Sequence, residues 1–367
     1  MKALWFAVIL LIAVGTGWAA DDQAYLGIFA ETRAQLMAGM PAMPAMPAGM
    51  DMSMIPGMAA MRGFGAPTRN LEVRLWSPGI APVGATAYLD IPDGLKLGKR
   101  LNLELYRPKA GQTEPEMPGG ATPPDMTIKI YWGSSATVRP GQPRVIRIGD
   151  LAASARAEMQ RQAQNLRGSY FYKPDWTTAY WPTQRQPGTI AADASLVGHY
   201  ALTSSYTGAV ALDDPATVNF LAPFELTSPD LSGTLAFDRA LELAWKTVPN
   251  LLGQNAQIIG MEGRNTIIIW SSSENEAGAT IGDAGFLEMA QVRQMVTAQT
   301  FMAPARTSAT VPAGIFQNAD MANLTLAGWG PGTALAAGQP LPRIQTKTVL
   351  TVMLGGKGIT GMGGYGQ

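Results

Sequence analysis

The chain has no cysteine, a single histidine, and charged side chains at only 15% of its 367 positions. Without cysteine there are no disulfides, no thiol nucleophile, no zinc–thiolate site and no lipoprotein anchor, so packing alone must hold the fold. One imidazole cannot build a polyhistidine metal site. A Ser-His-Asp triad would have to use His199, in "VGHYALTSSY", and no G-x-S-x-G elbow accompanies it. His199 reads as a satisfied residue at a strand edge. Lys+Arg and Asp+Glu both number 27, which leaves no global basic field to attract nucleic acid. The catalytic inventory is correspondingly thin. Asp213/Asp214 and Glu274/Glu276 are sequence neighbours in turn-like stretches, where carboxylates usually cap or form turns. "GGKG" at 355–358 lacks the serine or threonine and the upstream glycine of a phosphate loop.

Residues 1–20 read as a secretory signal peptide. Lys2 is followed by an apolar run from Ala3 to Val14, and then by small residues with Gly17 and Ala19 suited to a cleavage site. The mature chain is expected to start at Ala20 or Asp21. An uncleaved anchor is the alternative, since Ala3 to Ala20 is just long enough to span a bilayer. No later segment is. The expected location is therefore exported, in the periplasm, at the cell surface or outside the cell, with the membrane touched only through an uncleaved signal segment.

Residues 21–68 read as a short helix over Gln23 to Leu36, with Tyr25, Ile28, Phe29 and Leu36 roughly on one face, followed by a low-complexity linker. "LMAGMPAMPAMPAGMDMSMIPGMAAM", from Leu36 to Met61, carries nine methionines among prolines that forbid a regular helix. In a polyproline II helix Met37, Met40, Met43 and Met46 would fall on one side about 9 Å apart, too far for neighbours to share an ion. Met50, Met52 and Met54 lie two apart and can converge. Thioethers are soft ligands that select Cu(I). These three are the candidate metal ligands, and Cu(I) is the one cofactor the sequence suggests. An adaptable spacer or partner-binding strip is the competing reading, and the run is expected to be dispensable for folding.

From Asn70 onward period-two alternation dominates. "LEVRLW", "ATAYLDIP", "RLNLELY", "MTIKIYW" and "PRVIRIG" each show one apolar and one wet face between Gly/Pro turns. Residues 69–150 read as a small β-sandwich. Residues 151–219 hold a connecting helix, "DLAASARAEMQRQAQNLRG", and an aromatic-rich connector, "YFYKPDWTTAYW". In the connector Tyr172, Trp176, Tyr180 and Trp181 are candidates for a binding surface toward sugars or proteins; burial between the modules is the alternative. Residues 220–353 form a second β-module, with an inserted helix near 285–300 that Asp283 could cap, and 354–367 are a Gly-rich tail. Trp245 shares a strand face with Leu241 and Leu243 and is followed by a Val-Pro-Asn turn. This second module resembles a fibronectin type III or immunoglobulin-like β-sandwich, although Asn255 and Ala256 stand where such modules usually place a tyrosine. The resemblance implies adhesion, spacing or recognition.

The expected fold class is mainly β, with two antiparallel β-sandwich-like modules, a connecting helix and one inserted helix. The expected function is that of a non-catalytic envelope or extracellular protein that acts by binding, adhesion or structural assembly on a protein or an envelope polymer. Two other classes stay open: a periplasmic Cu(I)-binding protein using the methionines, and a polysaccharide-binding or polysaccharide-active protein using the aromatics.

Overall fold

A computed structural model describes residues 24–39, 66–107, 125–151, 176–183, 190–233, 235–334 and 343–355. The signal segment, the methionine run beyond Gly39, Tyr172, the connecting helix and the Gly-rich tail lie outside the described residues.

The described chain is mainly β. In order, the strands are β1 (Tyr25–Met37), β2 (Thr68–Pro78), β3 (Ala87–Asp90), β4 (Arg100–Tyr106), β5 (Thr127–Trp132), β6 (Arg144–Arg147), β7 (Trp176–Trp181), β8 (Gly198–Ser204) and β9 (Gly208–Asp214). After these come β10 (Leu226–Ser228), β11 (Leu241–Trp245), β12 (Gly253–Glu262), β13 (Thr266–Ser271), the helix α1 (Met289–Thr297), β14 (Ser308–Val311), β15 (Met321–Ala334) and β16 (Arg343–Gly355). Thirteen strands form one sheet in the order β6-β5-β13-β12-β15-β16-β1-β2-β7-β4-β3-β8-β9, and β10-β11-β14 form a second, small sheet.

Two cores sit on the same face of the large sheet. The first gathers Leu26, Ile28, Val73, Leu75, Leu89, Leu95 and Leu202, among others. Its residues come from β1–β2 and also from β3–β8, so the sheet bends around it. The second lies between β12, β13, β15 and β16 and the small sheet, and holds Leu243, Trp245, Ile258, Trp270, Leu324 and Val352. This is sheet-on-sheet packing of the sandwich kind. Trp245 is 3% exposed there, as its alternation predicts, and its indole N–H donates to Gln254 Oε1 at 3.1 Å.

Residues 69–150 do not close on themselves. Strands β2 to β4 join β7 to β9 around the first core, whereas β5 and β6 attach to the second half through a parallel pairing of β5 with β13. A second parallel pair, β1 with β16, joins the two halves at the centre of the sheet.

One expectation is corrected outright. Residues 25–37 are strand β1, not a helix. Leu26, Ile28, Ala30 and Ala34 face the cores, while Tyr25 and Phe29 pack with Trp76 on the other side. A strand covered on both faces reads as a nearly unbroken apolar run, which mimics the stripe of a helix. The inserted helix is present but shorter than read. Its start is set by Glu288, whose N–H donates to Gln291 Oε1 at 2.9 Å, and Asp283 is engaged elsewhere.

Candidate interaction face

The face of the large sheet turned away from the two cores has three zones. The first is roofed by residues 279–297. There Lys347, on β16, is only 3% exposed, and its ammonium lies 2.6 Å from Asp283 and 3.2 Å from Glu31. It also sits over the Phe286 ring at 5.1 Å. Arg33 donates to Glu31 at 2.7 Å, and Arg343 pairs with Glu288 while covering the Tyr25 ring at 4.1 Å. The third buried residue on this face of β16 is Gln345, whose side-chain amide has no hydrogen-bond partner among the described residues. Roof and sheet are thus joined by part-buried ion pairs and by the Trp329 indole, whose N–H donates to the Gly285 carbonyl at 2.7 Å while its ring stacks on Phe301 at 4.4 Å.

The second zone is a polar band. Cross-strand register aligns Gln35, Thr351, Thr325, Gln257 and Ser271 across β1, β16, β15, β12 and β13.

The third zone lies beyond that band and has no roof among the described residues. Side chains alternate between faces and ladder partners share a face, so the pairings fix its composition. One row runs Met321, Met261, Ile267, Ile128, Ile146 across β15, β12, β13, β5 and β6. The adjacent row runs Met37, Met353, Asn323, Ile259, Ile269, Ile130 and ends at Arg144. Ile259 is 42% exposed and Met321 39% exposed; all the others but Ile130 are half-buried. Arg144 is the one charge in these rows, and it pairs with Glu276. The result is a plate of isoleucine and methionine with Arg144 as its one charge and Ile259 and Met321 as its most exposed points. Period-two reading missed it because each strand was assigned a single buried face. The signal was present in "TIIIW" and "QIIGM", where consecutive apolar residues make both faces of a strand apolar.

The residues singled out from sequence fall elsewhere. Trp176, Tyr180 and Trp181 all lie on β7, inside the sheet rather than in a connector. Trp181 faces the first core at 3% exposure and cannot contribute to a surface. Trp176 packs beside Tyr25, Phe29 and Trp76, and Arg74 sits over the Tyr180 ring at 5.0 Å. Tyr172, Met50, Met52 and Met54 lie outside the described residues. Glu274 is a structural clamp, holding Arg139 at 2.6 Å and Arg306 at 3.3 Å. Burial works against its charge, but the two arginines outweigh it and hold its carboxyl below the ordinary range. His199 is exposed on β8 and meets Asp213 at 2.7 Å.

Asp214 differs from its neighbour. It is 4% exposed, points to the first core, and neither carboxyl oxygen has a hydrogen-bond partner among the described residues. Burial pushes its pKa up to about 7. The folded state therefore binds this proton more tightly than the unfolded chain does. The resulting stability is fully present below about pH 4, the ordinary aspartate value, and is lost as pH rises to about 7. Denaturant unfolding between pH 4 and 8 should show a decline across that window that is flatter in Asp214→Asn, with the variant the more stable of the two at pH 8. An identical pH profile for both proteins would remove Asp214 from this role.

Among the described residues no cluster of His, Asp or Glu is arranged to hold a metal, and no helix is long and apolar enough to cross a membrane. No family model matches the chain, and no curated protein is significantly similar to it. Among solved structures it is similar to the Fcho1 Mu homology domain of Danio rerio with a bound Eps15 peptide. The match has 8% identity, covers 91% of this chain and 97% of that one, and gives a TM-score of 0.23.

Proposed function

We propose that this is an exported, non-catalytic protein of the cell envelope or extracellular space that acts by binding and assembly, using the isoleucine–methionine plate as its contact surface and a second copy of the chain as its occupant. The observation that carries the reading is an apolar row continuous across five strands from Met321 to Ile146, flanked by a second row that is apolar except at Asn323 and Arg144, and part-exposed at Ile259 and Met321. With its one charge already neutralised, the plate offers nothing to a phosphate, an anionic headgroup or a charged sugar. It suits a surface as apolar and uncharged as itself. A chain with equal numbers of acidic and basic groups does not repel its copy.

The plate is also uneven in a way that suits self-association. β-Branched, stiff isoleucines occupy the β13–β5–β6 half, and methionines occupy most of the β15–β16–β1 half. A two-fold stacking about an axis along the strands lays the pliant half of one copy over the stiff half of the other, and isologous two-fold pairs are the commonest homo-oligomers. Sedimentation equilibrium of the exported chain, compared with Ile259→Lys/Met321→Lys, tests this. Both sites are part-exposed, so the variant should keep the parent's thermal midpoint and circular dichroism. Association through the face should weaken by at least ~10-fold, the equivalent of about 1.4 kcal/mol. A parent that stays monomeric at ~100 µM, well above the ordinary range for specific contacts, overturns the reading. So does a variant whose self-association is unchanged.

A further inference from the structure

The two edges of the large sheet are treated differently. At one end β6 has four residues, is preceded by Pro143, carries Arg144 and Arg147, and runs straight into a 3-10 turn. Short length, proline and cationic side chains are how an edge is kept from pairing. At the other end β9, "GAVALDD", has seven residues with no proline, lysine or arginine. It pairs with β8 in unbroken register from Gly198↔Asp214 to Ser204↔Gly208, and with no other strand among the described residues. Its two acids, Asp213 and Asp214, are confined to its C-terminal end, and Gly208 to Leu212 carries nothing that opposes the addition of another strand.

We infer that β9 is a second contact surface, at which another copy of this chain adds its own β9 antiparallel. The occupant follows from the sequence of the strand. A two-fold pairing centred on Ala211 sets Val210 opposite Leu212, Ala209 opposite Asp213 and Gly208 opposite Asp214. No carboxylate faces a carboxylate, which is the arrangement that would disfavour the pair. Val210 and Leu212 lie on the side of the first core, where Leu212 is already buried and Val210 packs against the cluster. The joined sheet would therefore continue that core across the junction. Ala209 and Ala211 are small and exposed on the other side, so no bulky side chain blocks approach. The strand pairing stands on these observations alone. Its consequence for assembly rests on the face contact proposed above. Two different isologous contacts on one chain cannot both be satisfied within a dimer, so copies joined alternately by face and by edge build chains or even-numbered rings.

The test separates the two surfaces. In sedimentation velocity the parent should form species larger than a dimer. Ile259→Lys/Met321→Lys, which removes the face contact, should leave an edge-joined dimer. Adding Ala211→Lys, which sets two ammonium groups opposite each other at the symmetry axis, should reduce that dimer to monomer. The absence of native cysteine allows a direct readout of register. Directly opposed strand residues lie within disulfide reach, so Ala211→Cys in the face-disrupted background should oxidise to a covalent dimer, whereas Val83→Cys, on a fully exposed loop residue, should not. A face variant that is monomeric, or an edge dimer indifferent to Ala211→Lys, overturns the edge contact and leaves the face contact standing. A parent no larger than a dimer that only Ala211→Lys dissociates overturns the face contact instead. Covalent dimers forming equally at Val83 would overturn the register.

Discussion

Trp245→Ala should lower the unfolding free energy by about 3–5 kcal/mol, the range for emptying a buried tryptophan site. Trp245 closes the second core from the small-sheet side and packs with Leu243, Ile258 and Met302 in one cluster. Its removal also takes away the donor to Gln254 Oε1, and Gln254 is 1% exposed. The Gln254 amide nitrogen still reaches the carbonyls of Ala303 and Pro304 at 3.0 and 3.2 Å, which holds the side chain in place and leaves its oxygen without a donor. Trp245→Phe separates the two losses: it keeps most of the volume and should cost about 1–3 kcal/mol for the unsatisfied acceptor. Urea unfolding followed by far-UV circular dichroism measures both. An alanine variant within about 1 kcal/mol of the parent, the ordinary effect of a point substitution, would mean that the small sheet does not seal this core.

The second large effect is expected at Lys347. Lys347→Met should destabilise the fold by about 3 kcal/mol, the lower end of the cost of removing one partner from a buried ion pair. The lower end applies because the Asp283 side chain keeps 29% of its exposure, whereas Glu31 keeps 12%. Methionine preserves the apolar stem against Phe286, so the loss reports charge and not bulk. Without the ammonium, Glu31 and Asp283 face the same part-buried space, with Arg33 left as the neighbouring cation. Lys347→Met/Asp283→Asn should then recover a measurable part of the loss, and the double-mutant cycle gives the coupling. Additive effects of the two substitutions would show that the roof over 279–297 is held by its apolar contacts alone.

Much of the strand content was legible. "RLNLELY" and the strand of Trp245 alternate because one of their faces is in a core and the other is wet; in "LEVRLW" the second face ends at the covered Trp76, and in "TIKIYW" the isoleucines lie on the plate while Tyr131 reaches the second core, yet each appears as a strand. Strand β1 was not legible as one, because Tyr25 and Phe29 on one side and Leu26 and Ile28 on the other are all covered. Strand β7 was hidden by Pro174 and Pro182 on either side of it and by threonines that are buried without being apolar. Partner choice left no local trace: alternation in "TIKIYW" says that one face is buried, but not that its neighbour lies at Thr266–Ser271. The plate was missed for the same reason that the strands were found, since a rule that assigns each strand one dry face does not look for a second. The ion pairs of Lys347 had no signal at all, because Glu31, Asp283 and Lys347 meet only after residues far apart in the chain are brought together.

The parallel pairing of β1 with β16 has a consequence for the order of events in folding. Gly27 lies beside Arg343, and Met37 beside Met353, so the middle of the sheet is made from segments separated by nearly the whole described chain. Contacts this distant carry a high loop-closure cost and make for slow folding. A ribosome adds about 5–20 residues per second, so β1 waits many seconds before its neighbour exists. During that interval the two halves can form their own hairpins, but the seam between them stays open. A chain built this way cannot close the middle of its sheet until its last strand has emerged.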